Sequence, residues 1–255
     1  MIKLFQRLIK VYLGRFKIFF DKLINFIFPA TCPICKNNVL SNNDLCPDCW
    51  NKINWISSPK CYKCGYPFPA NLDREKFMLC PDCIKNKSNL DMIRSSCEYD
   101  SFSREIILAF KYSNTFRYNK LISGSMIRNL KDIDDKIDLI VPMPLSYLRL
   151  IKRGYNQATL IAKPIAKHLG VKIDINSIKR KYKESTKGKS FKERKENVKN
   201  VFKVVNKNKI EGKSILIVDD VMTSKSSLEE LAKTLKKVGA NKIFAVTFAR
   251  TVIDI

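Results

Sequence analysis

Eight of the nine cysteines fall into four C-x-x-C pairs: Cys32/Cys35, Cys46/Cys49, Cys61/Cys64 and Cys80/Cys83. A pair at this spacing forms a knuckle that offers two thiolates to one tetrahedral ion, and two knuckles complete a four-sulfur site. Four knuckles therefore make two sites, and zinc is the ion that four thiolates select. A redox dithiol needs only one such pair. Proximity along the chain groups Cys32, Cys35, Cys46 and Cys49, then Cys61, Cys64, Cys80 and Cys83. A cross-braced scheme, first pair with third and second with fourth, has the same spacing. With sulfur in every position no place is left for water, so these metals are expected to be structural. The segment has too little apolar sequence for a core of its own, and zinc must supply its folding free energy, on the order of 10 kcal/mol per site. Cys97 stands alone and reads as a small buried strand residue.

A second chemistry is written in ILIVDDVMTSKSSLEE, residues 215–230. Four apolar residues deliver Asp219 and Asp220 to the end of a strand, a polar loop follows, and Leu228, Glu229 and Glu230 open a helix. Open α/β sheets bind ligands at such strand ends. Loop amides, the helix N-terminus and the hydroxyls of Thr223, Ser224, Ser226 and Ser227 suit a phosphate. Two carboxylates beside it suit paired ribose hydroxyls, which are donors. The competing reading is a capped helix, because Ser227 with Glu230 fits a capping box. The run resembles the phosphoribosyl-pyrophosphate (PRPP) signature of type I phosphoribosyltransferases. That resemblance makes Asp219 and Asp220 the acids on the ribose 2′ and 3′ hydroxyls, and Thr223, Ser224, Lys225, Ser226 and Ser227 the loop around the 5′-phosphate. The chain departs from the signature at Lys225, where the family usually has Gly, and Gly is what permits positive φ close to a phosphate.

The elements that must hold these residues follow from hydrophobic pattern. Residues 138–144, 214–220 and 242–249 each read as a buried strand. Helical stretches near 102–112, 118–131, 154–169 and 225–238 lie between or beside them. Strands alternating with helices predict an α/β fold with a mainly parallel sheet. Three regions result: an amphipathic helical segment at 1–29, the double zinc-ribbon module at 30–93 and the sheet domain at 94–255.

The chain is strongly basic, with 48 Lys and Arg against 24 Asp and Glu and a formal charge of +24. The excess fits attraction to a polyanion, or the Lys-, Asn- and Ile-rich composition of an AT-rich genome. It peaks at 179–213, with fourteen Lys or Arg against four Glu. Residues 191–200 can form a helix of Glu–Lys pairs, and 181–190 have little to bury and read as a mobile loop. The expected single-stranded nucleic-acid contacts are Arg149 and Lys152, then Lys179, Arg180, Lys181, Lys183, Lys187, Lys189, Lys192, Arg194 and Lys195. Residues 2–28 place Lys3, Arg7, Lys10, Arg15, Lys17 and Lys22 among Leu, Ile and Phe. Such a helix either lies on an anionic membrane surface or docks on the rest of the protein. It lacks the cleavage site of a signal peptide and the unbroken apolar run of a spanning helix, so a cytoplasmic chain, peripheral to the membrane at most, is expected.

Together these features resemble the ComF family of competence proteins over essentially the whole chain. The cysteine knuckles and the PRPP-like run carry the resemblance with two further stretches. VPMPLSYLRLIKRGYNQATLIAKPIAKHLG (141–170) resembles the family's proline-containing strand end followed by Arg and then Arg-Gly-aromatic-Asn-Gln. KERKENVKNVF (192–202) resembles its Arg-x-x-Asn-Val element ending in Phe. The resemblance implies a zinc ribbon joined to a type I phosphoribosyltransferase-like domain. It also implies a role in natural transformation, helping imported single-stranded DNA into the cytoplasm beside the uptake helicase and membrane channel. Arg153, Asn156 and Gln157 then match a pyrophosphate- or ligand-facing loop, against the plainer reading of helix capping and solvent exposure. Turnover, if present, is displacement of pyrophosphate at ribose C1, with Mg²⁺ on the pyrophosphate of PRPP and the acceptor as nucleophile. Three readings follow: a DNA-uptake protein with a ribose-phosphate pocket and a basic surface, a phosphoribosyltransferase with an unknown acceptor, and a non-catalytic zinc-containing adaptor.

Overall fold

A computed structural model describes residues 29–40, 45–71, 77–112, 115–133, 136–181 and 199–252. The chain divides into two compact units, residues 1–52 and 53–255. The described part of the first unit holds the first two cysteine pairs and one short helix, α1 (Pro47–Asn51), opened by Cys46 and a proline that pre-sets its first turn. The second unit begins with the other two pairs and α2 (Pro81–Lys85) and continues into the sheet.

Five strands form that sheet: β1 (Met92–Glu98), β2 (Leu139–Pro142), β3 (Lys172–Ile173), β6 (Ile215–Met222) and β7 (Ile243–Arg250). All neighbours are parallel, in the order β1-β7-β6-β2-β3. The Ile-, Val- and Ala-rich β6 and β7 are buried on both faces, as a sheet covered by helices requires. Helices α3 (Ser101–Tyr112) and α4 (Thr115–Asn129) follow β1, α5 (Tyr147–Arg153) and α6 (Gln157–Leu169) follow β2, and α7 (Ser226–Lys236) joins β6 to β7. α4 packs on β1, β7 and α6, and α6 packs on β2 and β6. A separate antiparallel pair, β4 (Ile178–Arg180) with β5 (Phe202–Val204), flanks the sheet.

The three strands expected from sequence stand as β2, β6 and β7, and parallel throughout. Of β1 only Cys97 was read as a strand residue, and β3, the β4–β5 pair and α5 were not foreseen. Each of these is short or, in β1, interrupted by Arg94, Ser95 and Ser96, so periodicity carries little signal. Residues 2–28 and the segment 182–198, with the helix expected at 191–200, lie largely or wholly outside the described residues.

The direction of the crossover connections reverses between β2 and β6. The connection after β2 runs outward to β3, and the one after β6 runs the other way to β7. The region beyond the C-terminal ends of β2 and β6 is therefore where a sheet of this topology takes ligands.

Candidate functional site

β6 carries Asp219 and Asp220 toward that end of the sheet. Its four preceding residues, Ile215 to Val218, are fully buried, and the two acids are half-buried. The carboxylate of Asp219 accepts from the Asp220 amide at 2.9 Å, and that of Asp220 accepts from the Val221 amide at 2.8 Å. Burial pushes the Asp219 carboxyl well above the usual carboxylate range, the neighbouring Asp220 charge adds to this, and Lys111 opposes it. Lys111, in the last turn of α3, forms an ion pair of 2.5 Å with Asp220. Nothing in the sequence links it to an acid 109 positions later.

The loop from Thr223 to Ser227 turns from β6 into α7. Lys225 has φ −63° and ψ −10°, ordinary right-handed backbone. The turn is therefore made without the positive φ that a glycine would serve, and the replacement costs no backbone strain. The capping box of the competing reading, Ser227 with Glu230, is not formed. The helix starts at Ser226 with Lys225 as its cap residue, and no side chain caps it. Glu230 instead accepts from the Asn200 amide at 2.8 Å. The first amides of α7 are thus left for another acceptor beside the Ser224, Ser226 and Ser227 hydroxyls, and a phosphate fits that need.

Beyond β2, Asn156 donates to the Met143 carbonyl at 3.0 Å and accepts from the Ala158 amide at 3.0 Å, capping α6. Arg153 donates to Gln157 Oε1 at 3.1 Å, and buried Gln157 keeps its Nε2 unpartnered. The capping role is thus real for Asn156, and it ties the start of α6 to the end of β2. Between them Gly154, at φ 75°, closes α5 in the left-handed conformation that favours glycine. Tyr155 donates to the Lys111 carbonyl at 3.1 Å, so the same motif holds the end of α3 that bears Lys111.

Of the expected anion contacts, Arg149 and Lys152 lie on α5, while Lys179, Arg180 and Lys181 lie on or just after β4. Lys179 and Lys181 are exposed. Arg180 is half-buried, with its guanidinium 5.4 Å from the Phe202 ring centre and its backbone bridged to Ser146. Its pKa is lowered by burial first and by Arg149 next, while Asp219 opposes the shift. Arg149 and Arg180 therefore share the acid end of β6. Lys183, Lys187, Lys189, Lys192, Arg194 and Lys195 lie outside the described residues.

The cysteines gather as consecutive knuckles, which settles the pairing against cross-bracing. Cys32, Cys35, Cys46 and Cys49 form one cluster, Cys61, Cys64, Cys80 and Cys83 the other, with ligand atoms within 4.8 Å of one another in each. Neighbouring sulfurs stand 3.4 Å apart in the first (Cys35 and Cys46) and 3.6 Å in the second (Cys64 and Cys80). A tetrahedron of zinc–sulfur bonds of about 2.3 Å separates its sulfurs by roughly 3.8 Å, so both donor sets fit structural zinc. Amides of Cys64 and Cys80 point at Cys61 Sγ, at 3.5 and 3.3 Å, as thiolate acceptors require. Cys97 lies apart from both, buried on β1, and burial pushes its thiol up.

The second cluster belongs to the core of the sheet domain. Cys61, Cys64 and Cys80 are buried with Leu90, Ile93, Ile217 and Ile243 in one apolar cluster. Gly65, at φ +65°, lies so close to β1 that a Cβ would come 2.9 Å from the Ile93 carbonyl, and only glycine fits there. Buried Arg250, at the end of β7, donates to the Cys64 carbonyl at 2.6 Å, with its guanidinium 5.3 Å from the Tyr66 ring centre. Lys225 Nζ forms an ion pair with Asp82 of α2 and lies 3.8 Å from Cys83 Sγ. The Lys225 ammonium thus turns toward the zinc ribbon, where sequence reasoning had assigned it to the phosphate loop. Asp82 and Arg250 went unremarked for the same reason as Lys111, that their partners are distant in sequence.

Comparison with known proteins agrees with this construction. Residues 23–84 match the double zinc ribbon domain and residues 156–252 the phosphoribosyl transferase domain. The chain is 30% identical over 236 residues to Competence protein F of Haemophilus influenzae, covering 89% of this chain and all of that protein. It is 24% identical to DNA utilization protein YhgH of Escherichia coli K12, over 88% of this chain and 98% of the other. It is 26% identical to Competence protein ComFC of Bacillus subtilis, over 81% and 84% respectively. No described helix is long and apolar enough to cross a membrane.

Proposed function

The chain belongs to the ComF family of competence proteins, and on that premise we propose that it serves DNA uptake through a PRPP-type ribose-phosphate pocket and a basic surface for single-stranded DNA. The observation that carries the pocket is the placement of Asp219 and Asp220 at the reversal point of a parallel sheet, directly before an uncapped helix start. In this reading the two carboxylates accept from the ribose hydroxyls, and the amides and hydroxyls of residues 223–227 take the 5′-phosphate. Arg153 and Gln157 face the pyrophosphate side, where the unpartnered Gln157 Nε2 is available. Mg²⁺ neutralises pyrophosphate charge when PRPP is bound. Lys111 holds Asp220 until the sugar arrives.

The DNA surface is supported by charge and position. Arg149 on α5, Lys179 on β4 and Lys181 just after it lie near the same end of the sheet, and exposed Tyr147, Leu148 and Ile151 on α5 interleave apolar surface with the cations. Single strands are held by such mixtures of cations and stacking surfaces. Zinc is structural here, and the protein acts beside the uptake machinery on the cytoplasmic side. The test is transformation frequency in a naturally competent host whose own homologue is replaced by this chain. Asp219→Asn with Asp220→Asn is expected to lower the frequency by about tenfold or more at unchanged protein level, as loss of a charged hydrogen-bonding pair implies. A silent double variant, with Cys61→Ser still deleterious, would leave an adaptor that does not use the pocket.

A further inference from the structure

The loop proposed to hold the phosphate is fastened to the second zinc site at two points. Lys225 at its centre pairs with the Asp82 carboxylate and lies 3.8 Å from Cys83 Sγ. Glu229, one turn into α7, accepts from the Ser88 hydroxyl and from the Asn89 amide at 3.0 Å, both just beyond the last knuckle. Residues 80–89 and 225–229 are otherwise about 140 positions apart in the chain.

A zinc ion held by four thiolates leaves the cluster with a net negative charge, and nearby N–H donors and cations stabilise thiolate ligands and set their orientation. Lys225 and Arg250 are two cations of the sheet domain on this cluster, with Arg250 Nη1 4.0 Å from Cys64 Sγ. Lys225 therefore answers two demands. Its ammonium completes the surroundings of Cys83, and its main chain forms the turn at which the phosphate is expected. Glycine, the usual residue there, has no side chain with which to make that connection.

We propose that Lys225 is a positioning residue that couples zinc at Cys61, Cys64, Cys80 and Cys83 to ribose-phosphate binding at the 223–227 loop, so that each strengthens the other. The coupling rests on the ribose-phosphate reading of the pocket. It must be reciprocal, because an ion that tightens the ligand is itself tightened by the ligand to the same degree. The chain supplies its own control. The same Cys-Pro-Asp-Cys sequence occurs at Cys46–Cys49, where Asp48 is exposed in the first unit.

The experiment uses the full-length, zinc-loaded protein. Zinc release to a chromogenic chelator is followed with and without Mg²⁺–PRPP, and PRPP affinity is measured by calorimetry alongside. In the wild type, PRPP is expected to raise the free chelator concentration needed to strip one of the two ions at equilibrium roughly fivefold or more, the lower range of allosteric coupling. Lys225→Met and Asp82→Asn should bind PRPP roughly 5- to 10-fold more weakly and lose the protection of zinc. Lys225→Arg should restore both, and Asp48→Asn should behave as wild type. If PRPP binds normally to Lys225→Met and zinc release is indifferent to PRPP, the coupling is overturned while the pocket stands. If the wild type does not bind PRPP, the pocket is overturned and the coupling with it.

Discussion

The ammonium of Lys111 lies 2.5 Å from the carboxylate of Asp220, joining the last turn of α3 to the end of β6. Both side chains are mostly buried, at 19% and 14% exposure, and the pair sits beside a second carboxylate. Lys111→Met removes the one cation paired with these acids among the described residues. It is expected to lower stability by about 1–3 kcal/mol, the cost of leaving a partly buried charge without its partner. Chemical denaturation at neutral pH checks this, and a loss below a few tenths of a kcal/mol would show that solvent screens the pair.

Asp219 gives the opposite sign. Its carboxyl is pushed up by burial and by Asp220, so its ionisation opposes folding. A folded-state pKa above the unfolded one means the native state binds the proton more tightly. The contribution to stability is complete below the unfolded carboxylate pKa, near 4, and is lost as pH rises through the higher folded value. Asp219→Asn is therefore expected to raise the melting temperature at pH 7.5 by about 2–4 °C, equivalent to ~1 kcal/mol in a domain of this size, and by less at pH 4. A gain without ligand together with loss of ligand binding is the signature of a group kept for function.

The two zinc sites should differ in what they support. Cys61, Cys64 and Cys80 share the apolar core of the sheet domain, whereas the Cys32 cluster lies in the first unit. Cys61→Ser is expected to lower the main thermal transition by about 5–10 °C, or ~2–3 kcal/mol. Cys32→Ser should leave that transition nearly unchanged while removing one zinc per chain. Calorimetric scans with metal analysis distinguish the two.

Single-strand binding should fall with salt, with a slope of about 0.7 per neutralised phosphate. Replacing Arg149, Lys152, Lys179 and Lys181 together by Gln is expected to reduce the magnitude of that slope by about 3 if each contacts a phosphate. Fluorescence anisotropy with a labelled oligothymidine between 50 and 300 mM salt, chosen as about the usual working range, reads it. An unchanged slope would move the DNA contact away from α5 and β4.

What the sequence made legible was local. The apolar run Ile215–Val218, the acids behind it and the helix starting near Leu228 are contiguous, so one stretch of pattern sufficed to place the two acids at a strand end. The cysteine spacing likewise declared four-sulfur sites, although consecutive pairing became clear only when the sulfurs were seen together. The contacts of Lys111 with Asp220, Lys225 with Asp82 and Arg250 with Cys64 were not legible. Each joins residues 109 or more positions apart, and a lone Lys or Arg in a chain with 48 of them carries no mark of its partner. The competing reading of Ser227 and Glu230 as a capping box fails for a related reason. The capping-box spacing is present, but Asn200 competes for Glu230 from outside the helix.

In the proposed function, Asp219 and Asp220 with the 223–227 loop form a working ribose-phosphate pocket. Calorimetric titration of the zinc-loaded protein with Mg²⁺–PRPP tests it most directly, with the Asp219→Asn/Asp220→Asn variant as control. Saturable binding by the wild type, abolished in the folded variant, is the predicted result. No saturable binding by the wild type, or equal binding by both proteins, would contradict it.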